Sequence, residues 1–262
     1  PGLTLRGGYA GTTPEPGALT NEPTVLTRAA ANGRILYGVA STVTIERITV
    51  ANGLLNDDGC GAYFSGTSDV TLLQCLFTNN QVAYRDTTQY GGGLYINGGS
   101  LRVYDSLFLG NVLGNGGAGG LPSGGAIAAL NAVVTITNTL FADNNVQCWD
   151  MNERGGALYL GGGSAQVRNC TFSNNYARSY RFGLAMGGAV CALGVKPLLV
   201  SDCHFATNRA TRDDLGNGAV QGGVLHLGGG STAALSRCSI VLGSGEGAIF
   251  ATGSVVTLTN VL

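Results

Sequence analysis

Residues 155–175 read Gly155-Gly156-Ala157-Leu158-Tyr159-Leu160-Gly161-Gly162-Gly163-Ser164-Ala165-Gln166-Val167-Arg168-Asn169-Cys170-Thr171-Phe172-Ser173-Asn174-Asn175, and this stretch decides the fold. A glycine pair opens a short apolar strand. A Gly-rich turn follows, then a second strand running through Gln166 to Phe172. Asn175 closes the unit, and a segment of variable length leads to the next one. The same order recurs on both sides. Phe-x-x-Asn appears at Phe77–Asn80, Phe108–Asn111, Phe141–Asn144, Phe172–Asn175 and Phe205–Asn208, with the phenylalanines 31, 33, 31 and 33 residues apart. Gly-Gly followed by small and aliphatic residues ends at Gly93-Leu94, Gly125-Ala126-Ile127, Gly156-Ala157-Leu158, Gly188-Ala189-Val190 and Gly223-Val224-Leu225. Weaker copies stand at Gly61-Ala62-Tyr63 and Gly247-Ala248-Ile249. Two short motifs in phase over five repeats, with turn signals between strands and no helical period, read as the coils of a β-solenoid.

Aligning the repeats shows what points inward. Phe77, Phe108, Phe141, Phe172, Phe205 and Ile240 form one column; two residues earlier stand Cys75, Ser106, Thr139, Cys170, Cys203 and Cys238. A period of two puts both columns on one face, and a large column beside a small one fills a narrow interior. Gln74, Asp105, Asn138, Asn169, Asp202 and Asn260 occupy the corner before it, where Asn and Asp tolerate a left-handed backbone. The Asn of Phe-x-x-Asn forms a further column, whose amides can pass hydrogen bonds from turn to turn.

The expected fold is all-β, a right-handed parallel β-helix of about seven to eight coils. It occupies residues 1–262 as one domain: 1–59 irregular first coils, 60–250 regular coils, 251–262 the start of a further coil. At about 4.8 Å per coil the rod is on the order of 35–40 Å long. Both ends read as mid-strand (Leu3 and Leu5; Val256, Leu258 and Val261), so the expectation is a segment of a longer chain whose flanking domains cap the solenoid.

Forty-four glycines in a chain that is still 44% hydrophobic exclude a disordered linker. A net charge of −1 from 14 basic and 15 acidic residues offers no counterion-releasing surface, so nucleic acid is not an expected partner. No apolar run is long enough for a membrane helix in this window.

The motif pair resembles the repeat of chlamydial polymorphic outer-membrane proteins and the β-helix proteins that share it. The resemblance covers about residues 60–250, and Gly7-Gly8-Tyr9-Ala10-Gly11-Thr12 is similar to the opening coil of such proteins. It implies display outside the cell or at its surface, with adhesion or partner binding, and does not imply catalysis.

Catalysis on this scaffold would need clustered carboxylates, as acid and base or as Ca²⁺ ligands. The outward column of the Gly-Gly strand, read as Phe64, Tyr95, Ala128, Tyr159, Cys191, His226 and Phe250, holds none. His204 and His226 lie on different strands and make no two-histidine metal face. Gly114-Asn115-Gly116-Gly117-Ala118-Gly119 matches a dinucleotide fingerprint, but no helix follows it. No cofactor or metal is called for. Cys75, Cys170, Cys203 and Cys238 are expected as free inward thiols, and Cys60 and Cys148 as loop residues more open to solvent. Asn169-Cys170-Thr171 is a formal glycosylation sequon within a strand.

Binding candidates fall in two groups. Tyr95, Tyr159 and His226 would form a stripe along the outside of one sheet, either open to a ligand or covered by loops or a neighbouring domain. The second group lies in the variable segments: Tyr84, Arg85 and Tyr90; Trp149, Asp150 and Arg154; Tyr176, Arg178, Tyr180 and Arg181. Aromatic residues beside arginine are common interface anchors. The favoured reading is a non-enzymatic extracellular or cell-surface module whose partner is a protein or glycan. The alternatives are a carbohydrate-active enzyme, a polysaccharide lyase or glycosidase, and a structural segment of a filament or appendage.

Overall fold

The computed structural model describes residues 2–8, 23–28, 32–82, 87–115, 120–149, 152–180, 183–213, 219–241 and 247–262. One turn shows the plan. Leu158–Gly161, Ser164–Arg168, Thr171–Ser173 and Tyr176–Ser179 are successive strands. The next turn begins with Val190–Leu193, which lies parallel and in register on Leu158–Gly161. Repetition builds three long parallel sheets of nine, eight and eight strands, each ordered by sequence along the rod. Every strand is paired with the equivalent strand one turn away, so each turn relies on its neighbours for backbone hydrogen bonds and for core.

The phenylalanines stand in single file. Ring centroids from Phe77 to Phe108, Phe141, Phe172 and Phe205 are 5.0, 5.2, 4.8 and 4.9 Å apart, with planes within 14°. All five are fully buried. The corner residues Gln74, Asp105, Asn138, Asn169, Asp202 and Asn260 have φ between 50° and 56°, as the left-handed corner requires. At the opposite corner the asparagines form a ladder. Each Nδ2 donates to the next Oδ1, from Asn80 to Asn111, Asn144, Asn175 and Asn208, at 2.9–3.0 Å. Each also donates to a main-chain carbonyl of the preceding turn, such as Asn144 Nδ2 to Phe108 O at 2.9 Å.

The glycine pair is a steric requirement. Gly155 has φ +65°, and a Cβ on Gly156 would stand 2.1 Å from Gly188 O. The pair lets the chain turn where it passes closest to the turn above.

Four expectations are corrected. The variable segments are not plain loops: after each ladder asparagine the chain adds a strand to a six-stranded parallel sheet, and after Asn144, Asn175 and Asn208 it goes on to add one to a three-stranded sheet. Their residues alternate in and out, so a small second core forms beneath them. Cys60 and Cys148 lie within this layer and are fully buried, not open to solvent. Phe64 points into the main core and Tyr63 takes the outward position, because Ala62–Ser65 is registered one residue off the assumed copy. Asn169 sits at an exposed corner between strands, not inside one. All seven cysteines are buried, and none is in a disulfide.

Candidate functional site: the outer aromatic–arginine face

The ladder fixes the faces of the strands that follow it. Counting from Asn144, Asn175 and Asn208, the second residue turns inward as Val146, Ala177 and Ala210, all buried. The first, third and fifth turn outward. Strand pairing then sets three rows: Asn145, Tyr176 and Arg209; Gln147, Arg178 and Thr211; and Trp149, Tyr180 and Asp213. With about 3.3 Å per residue along a strand, the face is about 13 Å long.

Its side chains hold one another in place. Trp149 stacks on Tyr180 with ring centroids 5.1 Å apart and planes 23° apart, while remaining 47% exposed. The guanidinium of Arg178 lies 4.4 Å from the centre of the Tyr180 ring and meets both oxygens of Asp213 at 2.9 and 3.0 Å. Tyr180 donates its hydroxyl to Gln147 Oε1 at 3.1 Å. The Tyr176 hydroxyl and Thr211 Oγ1 are 2.6 Å apart, and Arg209 lies over the Tyr176 ring at 5.2 Å. Flat rings with polar edges, fixed before any partner arrives, lose little side-chain entropy on binding. The tryptophan can take the face of a sugar ring or an apolar side chain, and the amide, hydroxyl and guanidinium groups around it can bond the edges.

The other candidate group has a different setting. Tyr95, Tyr159 and His226 do share one column with Ala128 and Cys191. They are only 4%, 4% and 2% exposed, so a ligand cannot reach them in this arrangement. The three-stranded sheet, Glu153–Arg154, Ala185–Met186 and Val220–Gln221, belongs to the layer that covers them. Tyr90 stacks between Tyr95 and Tyr159, at 5.0 and 6.1 Å, opposite the gap left by Ala128. Arg154 reaches over Tyr159, and Met186 packs into the same cluster as Cys191. Their expected ligand-facing role is therefore corrected for Tyr95, Tyr159 and His226, and Tyr90 and Arg154 serve as part of the cover. Burial pushes the hydroxyls of Tyr95 and Tyr159 upward and pushes His226 down to about 4. Tyr84, Arg85, Asp150 and Arg181 lie outside the described residues.

Gln147 and Thr211 belong to the outer face and were not singled out as ligand contacts in the sequence. Taking the first, third and fifth residues after each ladder asparagine would have found them. At the far end the column emerges as Tyr63 and Tyr37, stacked at 5.4 Å beneath Arg34, with Tyr37 65% exposed. Among the described residues no group of three or more His, Cys, Asp or Glu is placed to hold a metal ion.

A family model for the right-handed β-helix region matches residues 120–262, more than half of the chain. Comparison with curated proteins and with solved structures gives no match. With its parallel, in-register turns and the family match over the C-terminal half, the chain belongs to the right-handed β-helix family.

Proposed function

We propose that the chain is a non-enzymatic binding module of an extracellular or cell-surface protein, and that it grips a glycan on the outer face built by Trp149, Tyr180 and Arg178. The observation that carries this reading is Trp149: half exposed, yet already stacked on Tyr180 and framed by hydrogen-bonding groups. A rigid, half-exposed tryptophan beside a tyrosine and an arginine has the composition of an interface anchor. The resemblance of the repeat to that of polymorphic outer-membrane proteins supports an adhesive setting. Two of the carboxylates on the rod's exterior, Asp202 and Asp213, are engaged by arginines, which favours recognition over acid–base chemistry.

A glycan array probed with the wild type and with Trp149→Ala tests the reading. The expected result is a set of signals that the variant loses while its circular dichroism is unchanged. Signals at noise level for both proteins would remove the glycan. A protein partner would then remain, to be sought by cross-linking through the same face.

A further inference from the structure

Glu153 is fully buried, and neither of its carboxyl oxygens has a hydrogen-bond partner. It belongs to a two-residue strand, Glu153–Arg154, that packs against Asn145–Cys148, Tyr176–Ser179 and Ala185–Met186. The Ser179 hydroxyl and the Cys148 N–H lie near enough to ease the loss of water without replacing it. Of the ionisable groups on those strands, Cys148 is on the inner face with Glu153, whereas Arg178 points outward to Asp213. Arg212 is one turn on, in register with Ser179. On its own strand, Arg154 points the other way, over Tyr159. Among the described residues, therefore, no cation within ion-pair distance compensates a charge on Glu153. The strand is only two residues long, and its main chain is held by Glu153 N to Leu184 O, Arg154 N to Pro122 O and Gly124 N to Arg154 O, at 2.9, 3.1 and 2.8 Å, and by pairing with Ala185–Met186.

We propose that the three-stranded outer sheet is a cover latched by the protonated side chain of Glu153, and that loss of this proton to water releases the cover from the Tyr95–Tyr159–His226 column. An ionised carboxylate without partners is far costlier in this layer than in water. The least expensive relief is to lift two-residue strands, not to unwind the rod. Burial accordingly pushes the carboxyl up to about 10. Because the open form ionises near the ordinary value and the closed form does not, the open population grows about tenfold per pH unit between these limits. Opening exposes a ring-lined strip, with Arg154 freed beside it, that the closed form hides.

Cys191 reports on the event, since it lies under the cover, while Cys75 lies in the main core. Alkylation of the native chain with iodoacetamide is followed by mass spectrometry from pH 6 to 9, with rates divided by the thiolate fraction. The expected result is a corrected Cys191 rate that climbs about tenfold per pH unit, while Cys75 stays protected. In Glu153→Gln, which keeps the shape and cannot ionise, the corrected rate is flat; Glu153→Met is a second variant with the same expectation. Equal rates at Cys191 and Cys75 would mean global opening and overturn the proposal. So would an undiminished pH dependence in the folded variants.

Discussion

Removing one rung of the asparagine ladder should cost more than its size suggests. Asn144 Oδ1 accepts from Asn111 N and Asn111 Nδ2 at 3.1 and 3.0 Å, and its Nδ2 donates to Phe108 O and Asn175 Oδ1 at 2.9 and 3.0 Å. In Asn144→Ala, Asn175 Oδ1 keeps the backbone N–H of residue 144, at 3.1 Å, so it is not orphaned. Three groups are left short: the Asn111 N–H, one hydrogen of Asn111 Nδ2, and Phe108 O. The site is sealed from solvent. At about 1–3 kcal/mol for each of the three buried groups left unsatisfied, the loss is about 3–9 kcal/mol. Urea unfolding followed by circular dichroism measures it. Asn169→Gly is the control, since Asn169 is exposed, makes its amide bond to Asn138 in water, and stands at a left-handed corner that glycine also accepts; it should change stability by no more than about 0.5 kcal/mol. Asn144→Asp adds a sign test. Its carboxylate would face two acceptors, so its folded pKa must rise above the unfolded value of about 3.9. The stability it retains is present below that value and is lost as pH rises. A cost under about 1 kcal/mol for Asn144→Ala, or a pH-independent Asn144→Asp, would refute the ladder as an energetic element.

Gly156→Ala should prevent cooperative folding, because its methyl would stand 2.1 Å from Gly188 O and 2.5 Å from Tyr176 N; a far-UV spectrum and a melt near wild type would contradict the steric argument. Phe141→Ala should cost about 3–5 kcal/mol, measured by denaturant unfolding, since it opens a gap between two stacked rings in the main core. For the whole fold, Glu153 and His226 pull stability in opposite directions with pH. The carboxyl, raised from 4.5 to about 10, stays protonated in the fold while the unfolded chain ionises, so stability falls as pH rises between those values. The imidazole, lowered from 6.5 to about 4, stays neutral in the fold while the unfolded chain protonates, so stability falls as pH drops from 6.5 towards 4. Thermal melts should show a plateau near pH 4.5–6.5 and a decline above it. Glu153→Gln should remove that decline and be more stable at pH 7 by at most about 3 kcal/mol, limited by the free energy of opening the cover.

The main winding was legible because its cues are local and repeated. The glycine pair, the inward phenylalanine and the ladder asparagine each report a backbone requirement at a fixed distance from the others. The second layer was not legible, because the segments that build it differ in length and composition from turn to turn. Val82, Leu113, Val146 and Ala177 share a face only once the ladder sets the register, and none stands in a strong local pattern. Tyr63 and Phe64 show the limit on the main sheets. A strand's faces exchange with a one-residue slip, and the copy at Cys60-Gly61 lacks the glycine pair that would have fixed the count. The aromatic column was read correctly as a column, but whether it lay bare depended on chain that returns from elsewhere in the turn.

Because each ladder asparagine offers the turn above what it takes from the turn below, every interior rung is interchangeable with the next. Length in such a molecule comes in whole-turn increments: a complete repeat can be lost or duplicated and the columns will splice, whereas one inserted residue within a repeat breaks every column at once. The rod is thus built to be lengthened or shortened over evolutionary time without redesign, and its outer strands are free to diversify while the interior stays the same.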